Sequence, residues 1–451
     1  MSFDDMSKNH MTWPALEKVH EYRSQVYDVV KTVINDIDEN ELSTKGITQS
    51  SKLWGLVLGF EHERIHFETS ACLFNEMPKE LFRRPEEFPA YFPTKGTQAS
   101  GDLKSVRGSP APVQGTDYPV NELVAVEASK VPMGKPAAYP TFGWDNEYGP
   151  SGATTEIPAF QASKYLITNG EFHEFAQAGG YTSSAYWSEE GWKWRTFSNA
   201  QHPKFWHVEQ AKDDANASSY FQRYIFDWVP MQWSHPAIVN YHEATAYAAW
   251  RQTKGDLTAK FNPKNQATLR LSTELEHRAI RDPFDFHQSG YMKGMAKDPV
   301  MEYSNNGSPN MARSKYGMNL NLAYGSTSPV HALPSNSRGF HDVMGNTWEW
   351  CMDFFSPLKG FEIHPYYHNF STPCFDGQHH CIQGGSFIST GDEASVYSRF
   401  HFRPHFFQQA SFRLVHSEHD GEHGPITSDT GCVGPFSTET NPFRKYTQHK
   451  H

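Results

Sequence analysis

Gly59-Phe60-Glu61-His62-Glu63-Arg64-Ile65-His66-Phe67-Glu68-Thr69-Ser70 lies inside a segment whose apolar residues Leu53, Trp54, Val57, Leu58, Ile65 and Leu73 recur at helical steps. The spacing predicts a helix from Ser51 to Phe74, stopped by Pro78. On such a helix His62 and His66 are four residues apart, which sets both imidazoles on one face, one turn apart, able to share a metal ion. Glu68 comes two residues after His66, about 200° round the helix, and points away from the pair. It is better placed to support a neighbouring helix than to join the ligands. The plain alternative is a solvated helix face, because Glu and Arg surround the two histidines.

Working outward, Leu16, Val19, Tyr22, Val26, Val29, Val30, Val33 and Ile37 repeat at three- and four-residue steps, with Thr12 as N-cap and Pro14 near the start. A long amphipathic helix is expected from Thr12 to Ile37. Two helices cannot hide both apolar faces, so these need further helices from this chain, from a segment absent from it, or from a second subunit. Residues 77–118 are rich in Pro, Gly, Ser and charge, including Pro89, Pro93, Pro110 and Pro112, and read as an ordered connector. From 119 to 416 short strands alternate with turns, with a clear helix around Asn240–Gln252 and a further one at Thr273–Ile280. Residues 417–451 read as a polar tail. The domains expected are thus 1–76, 77–118, 119–416 and the tail, and the class is α+β.

The chain has 451 residues, room for two or three domains, with 14% aromatic residues, 32 Gly and 29 Pro. That excludes a coiled coil or a disordered chain. Fifty-one acidic against 40 basic side chains leave a net charge of −11, which argues against nucleic acid as a partner. Apolar runs fall short of the roughly 18 residues a membrane span needs, and the start lacks a leader pattern, so a cytoplasmic protein is expected. Five scattered cysteines, Cys72, Cys351, Cys374, Cys381 and Cys432, without Cys-x-x-Cys spacing, suggest reduced thiols. Cys374 and Cys381 could meet across a loop.

Residues 62–66 also satisfy His-Glu-x-x-His, in which Glu63 would be the general base of a zinc peptidase. The extended form of that motif fails, since Thr69 and Cys72 stand where Gly and His are required.

The Gly59–Ser70 stretch resembles the His-x-x-x-His-x-Glu helix of the DinB-like bundle in nonheme-iron sulfoxide synthases, closest to 5-histidylcysteine sulfoxide synthase of the ovothiol branch. The later half resembles that family's second domain, which is related to the formylglycine-generating enzyme and folded like a C-type lectin. Its marks are Val131-Pro132-Met133-Gly134, Arg270-Leu271-Ser272-Thr273-Glu274-Leu275-Glu276-His277, Gly345-Asn346-Thr347-Trp348-Glu349-Trp350, Gly384-Gly385-Ser386-Phe387 and Ser411-Phe412-Arg413-Leu414-Val415. The fold implied is a partial DinB-like bundle followed by a formylglycine-generating-enzyme-like domain.

The resemblance implies iron(II) held by three histidines, of which His62 and His66 match two, with dioxygen as co-substrate and cysteine and histidine as substrates. The family's third ligand lies well upstream, and His10 and His20 sit too near the start to match it, so an N-terminally shortened chain is expected. The family's catalytic tyrosine matches Tyr367, with Tyr366 second, in Pro365-Tyr366-Tyr367. A phenol beside an iron-bound oxygen can give a proton or an electron and so favour carbon–sulfur bond formation over thiol dioxygenation. Packing in a β-rich domain is the plain reading of the same tyrosines.

Where the ergothioneine branch carries a Trp-Asp pair flanking a trimethylated ammonium, this chain has Phe402-Arg403-Pro404-His405-Phe406-Phe407, without the acid. That favours an unmethylated histidine, as does the match of Cys374-Phe375-Asp376-Gly377 to the ovothiol branch. Arg403, His405 and Phe406 are the substrate-binding candidates of this stretch. Arg403 and Arg413 could hold a carboxylate, although arginines more often serve architecture. Trp348 and Trp350 alternate as core residues of a strand, and Asn346 is first a turn residue.

Other readings are an ergothioneine-type synthase, an inactive relative, a formylglycine-type modifier and a lectin-like binding module. The modifier needs paired cysteines near the chain end, and Tyr397–Arg413 holds none. No Gly-rich methyl-donor motif follows Val415, which suggests a fragment or a split pathway.

Overall fold

A computed structural model describes residues 13–38, 46–97, 100–139, 141–149, 154–210, 218–254, 268–281 and 318–417. The first helix, α1, is Leu16–Asn35, with Ala15 at its N-cap and no side-chain cap. It begins later than the sequence pattern suggests because Pro14 disfavours helical geometry at Trp13; Thr12 lies outside the described residues. None of its residues is buried. Leu16, Tyr22, Tyr27 and Val29 are each about two-thirds exposed, so its apolar face is uncovered among the described residues.

Helix α2, Trp54–Glu76, starts three residues later than expected and ends just before Pro78. Trp54, Glu61, Ile65, Glu68, Cys72 and Asn75 are buried along it, a stripe stepping by three, four and seven residues. That stripe packs on the later domain rather than on another helix. Trp54, 1% exposed, stacks on His364 with ring centroids 3.4 Å apart and lies 5.1 Å from Phe142. Ala71 joins Ile225, Phe226, Phe387 and Ile388 in a further apolar cluster.

Between the two parts the chain is irregular but tied down. Tyr91 donates its hydroxyl to Asp227 at 2.6 Å, the Phe92 amide donates to Ser326 Oγ at 3.0 Å, and Tyr118 donates to Glu174 at 2.5 Å. Single bridges pair Gly101 with Trp228 and Ser109 with Tyr220.

The later domain is mixed helix and sheet, as its motifs imply. One four-stranded sheet runs in the order β1 (Leu123–Val126), β4 (Phe160–Ser163), β13 (Leu414–Ser417), β8 (Thr268–Leu271). A second runs β11 (Phe400–Phe402), β10 (His380–Gln383), β9 (Trp348–Phe354), β12 (Ala410–Ser411). Smaller sheets pair β2 (Ser129–Pro132) with β3 (Thr154–Ile157), and β5 (Trp206–Glu209), β6 (Ser219–Arg223) and β7 (Trp228–Pro230). Residues 414–417 thus return to the first sheet, where β13 lies between β4 and β8.

Two helices escaped the sequence reading: α3 (Asn169–Gln177) and α4 (Glu189–Ser198). Both are short and crowded with aromatics, which blurs periodicity. Their starts were nonetheless written in the chain, since Thr168 and Glu171 form a reciprocal capping box and Ser188 accepts the Gly191 amide. Helix α5 (Tyr241–Gln252), capped by Asn240, and α6 (Glu274–Ile280), capped by Thr273, stand where the pattern put them.

The quoted motifs are architectural. Trp348 and Trp350 are buried at 1% and 0%. Glu349, on the other face of β9, is also buried and accepts two hydrogen bonds from Arg413 at 3.2 Å each, while Arg413 further donates to the carbonyls of Ser163, Lys164 and His341. Glu274 is gripped by Arg399 at 2.6 and 3.0 Å, which holds its carboxyl down at about 2 despite burial. Asn346 adopts φ +67° and its side chain binds both the amide and the carbonyl of Ser328. No helix among the described residues is long and apolar enough to cross a membrane.

Candidate metal centre

His62 and His66 each follow a member of the buried stripe, Glu61 and Ile65, by one residue, about 100° round the helix. They therefore flank the seam between α2 and the later domain. Their rings are 4.4 Å apart, His62 half-buried and His66 exposed. Burial first, and the neighbouring His66 second, hold His62 below the usual histidine value, with Glu63 opposing. His62 is thus a neutral imidazole near neutral pH, with a lone pair free for a metal.

The later domain brings an aromatic corner to this flank. Tyr367 places its hydroxyl 3.5 Å from His62 Nε2, with the two rings edge to face at 5.5 Å. Trp144 stands 6.3 Å from His62 and stacks on Phe370 at 4.0 Å, and Phe370 lies 5.3 Å from Tyr367. Burial pushes the Tyr367 phenol up, so it keeps its proton near neutral pH. Tyr366, by contrast, is 67% exposed and tilts toward Trp54 and His364. The register choice between the two tyrosines has a clear geometric counterpart, because Tyr367 is the one facing His62.

Two carboxylates of α2 lock this arrangement. Glu68 is 3% exposed and accepts from Trp348 Nε1 at 2.5 Å, Ser386 Oγ at 2.5 Å and Ser389 Oγ at 2.8 Å. It supports the later domain, not a neighbouring helix as expected. Desolvation still outweighs these three bonds and raises its carboxyl. Glu61 accepts the Asp392 amide at 2.8 Å, where Gly391 turns with φ +64°; burial lifts it to about 7 against the pull of Arg64. Each bond joins residues more than 250 positions apart, so no local signal foretold it. Trp144 and Phe370 were missed for the same reason.

Among the described residues no third histidine, cysteine or carboxylate joins His62 and His66 in a ligand-sized group. His20 is exposed on α1, and His10 lies outside the described residues. Glu63 is exposed. Arg403 pairs with Asp376 at 3.4 Å, and Arg413 is fully occupied by Glu349 and backbone. His405 and Phe406 are exposed and line a cleft with Trp194, His202, Lys204 and Glu76. Glu76 ends α2, about 20 Å along the axis from His62 at 1.5 Å per residue. The structure therefore gathers His62, His66 and Tyr367 in one place and sets His405 and Phe406 beside the far end of the helix.

Two imidazoles from one helix face, one of them neutral and facing a phenol, fit an iron(II) that keeps positions open for substrate.

Residues 109–418 match the sulfatase-modifying factor enzyme 1-like domain. The chain is 30% identical over 269 residues to hercynine oxygenase of Mycobacterium tuberculosis, covering 56% of this chain and 51% of that protein. It is 22% identical over 409 residues to ergothioneine biosynthesis protein 1 of Neurospora crassa, covering 84% of this chain and 44% of the relative. It is 26% identical over 271 residues to the formylglycine-generating enzyme of Mycobacterium tuberculosis, covering 53% and 76%. The chain spans about half the length of the hercynine oxygenases it matches. It belongs to the sulfatase-modifying factor enzyme 1-like family.

Proposed function

We propose that the chain is an iron(II)- and oxygen-dependent sulfoxide synthase that joins the sulfur of cysteine to an imidazole carbon of histidine, the ovothiol-type reaction. The thiol and ring hydrogens leave with one oxygen atom as water, and the other oxygen ends on sulfur. The observation that carries this reading is the approach of Tyr367 to His62 across the seam between the two parts of the chain. His62 and His66 would hold the metal, which would supply thiolate affinity and redox chemistry toward dioxygen. Tyr367, kept protonated by burial, holds a proton ready at its hydroxyl on the inner side of the pair. Trp144 and Phe370 line that side with apolar rings. Glu61 and Glu68 set the rotation of α2, and so the direction in which both imidazoles point.

A second reading is an ergothioneine-type synthase acting on trimethylated histidine, favoured by similarity to proteins named hercynine oxygenase. The stretch Phe402-Arg403-Pro404-His405-Phe406-Phe407, which corresponds to the one carrying Trp-Asp in that branch, holds no acid, and this weighs against it. Incubation with iron(II), cysteine, air and either histidine or its trimethylated form, read by mass spectrometry, separates the two. A sulfoxide conjugate from histidine supports the ovothiol-type reading, one from the trimethylated form alone supports the other, and neither conjugate with no oxygen consumed rejects both.

A further inference from the structure

A second group of metal-ligating side chains lies outside the corner just described. Cys374, His379 and His401 each offer one ligand atom, and these atoms lie within 4.8 Å of one another. Cys374 and His379 sit at either end of the turn Cys374-Phe375-Asp376-Gly377-Gln378-His379, where Gly377 has φ +69°. His401 is in the middle of β11, paired with Cys381 on β10.

Each imidazole is already oriented. Asp376 Oδ1 holds His379 Nδ1 at 2.9 Å and also accepts the Gln378 and His379 amides at 2.8 and 3.2 Å. That carboxylate fixes the His379 ring and leaves Nε2 as the free ligand atom, the arrangement by which carboxylates commonly brace metal-bound histidines. His401 stacks on Phe355 at 4.0 Å and meets His379 edge to face at 5.3 Å. Its Nδ1 is buried with no hydrogen-bond partner. A buried ring nitrogen without a partner is costly and calls for an occupant.

We propose that Cys374, His379 and His401 form a second metal site, suited to zinc(II), which fastens the loop following Tyr367 to strand β11. One sulfur and two imidazole nitrogens are zinc's preferred donors, and water completes a four-coordinate shell. Zinc bonds of about 2.0–2.3 Å set tetrahedral donors roughly 3.3–3.8 Å apart, so the three atoms would draw in by up to about 1–1.5 Å on binding. Binding replaces the Cys374 thiol proton, which passes to solvent, and involves no redox change. Cys374 follows Tyr367 by seven positions, so the staple would stiffen the segment that delivers the phenol to His62.

The test uses the full chain carrying His62→Ala and His66→Ala, so that the helix pair contributes nothing and failure here leaves the iron reading untouched. After chelation and reloading with zinc chloride, about one zinc per chain should survive dialysis. Adding Cys374→Ser or His401→Gln should weaken retention at least tenfold. Cobalt(II) in place of zinc should show a near-ultraviolet sulfur-to-metal absorption that Cys374→Ser abolishes. Absence of that absorption in the chain with Cys374 intact would overturn the site even if a substituted chain fails to fold. So would zinc retention unchanged by Cys374→Ser combined with His401→Gln.

Discussion

The hydroxyl of Tyr367 stands 3.5 Å from Nε2 of His62, across 305 positions of sequence. At that distance the bond is weak, so the contact is a feature of placement more than of stability. It exists because the buried stripe of α2 packs on the later domain while its histidine flank is left facing the aromatic corner.

Replacing Tyr367 by Phe should therefore leave folding nearly intact and change the products. Conjugate formation is expected to fall at least tenfold while oxidation of cysteine alone to its sulfinate continues, as read by mass spectrometry alongside oxygen uptake. Equal loss of both products would show that the phenol does not steer the outcome.

Glu68→Ala should destabilise the chain by about 2–4 kcal/mol, because Trp348, Ser386 and Ser389 lose a buried acceptor together. Glu68→Gln should recover part of that, since one oxygen remains. Urea denaturation midpoints at constant slope provide the comparison.

Trp54→Ala should cost about 3–5 kcal/mol, the usual range for truncating a large buried aromatic. Hydrogen exchange should then speed up in α2 more than in the sheet β1-β4-β13-β8, because Trp54 anchors the helix on His364 and Phe142.

Glu243 gives a pH signature. Burial raises its carboxyl to about 7 although Tyr181 at 2.6 Å and the Asn240 amide at 3.0 Å donate to it. The folded state thus holds this proton more tightly than the unfolded state, and the associated stability is present at low pH and lost as pH climbs from about 4.5 to about 7. Glu243→Gln removes the titration. The variant should gain on the wild type across that window by about 1–3 kcal/mol and run parallel to it above pH 7. A constant difference from pH 4.5 to 8 would contradict the assignment.

The sequence carried the parts of this account that depend on spacing. A four-residue step places His62 and His66 on one face, capping residues announce α5 and α6, and the Gly345–Trp350 and Ser411–Val415 motifs mark where the core is knitted together. The uncovered face of α1 was visible as periodicity without partners. What stayed hidden depends on encounters between distant segments. Nothing near Glu68 indicates Ser386, and nothing near His62 indicates Trp144. Helices α3 and α4 were lost because Phe, Tyr and Trp serve strands and helices alike, leaving only their caps as evidence.

The most direct test of the central claim is anaerobic iron(II) binding by the intact chain, with dialysis and metal counting, beside His62→Ala and His66→Ala. The account predicts about one iron(II) retained per chain, lost in both variants while zinc held at Cys374, His379 and His401 is unaffected. Iron retention that is the same in all three proteins would contradict it.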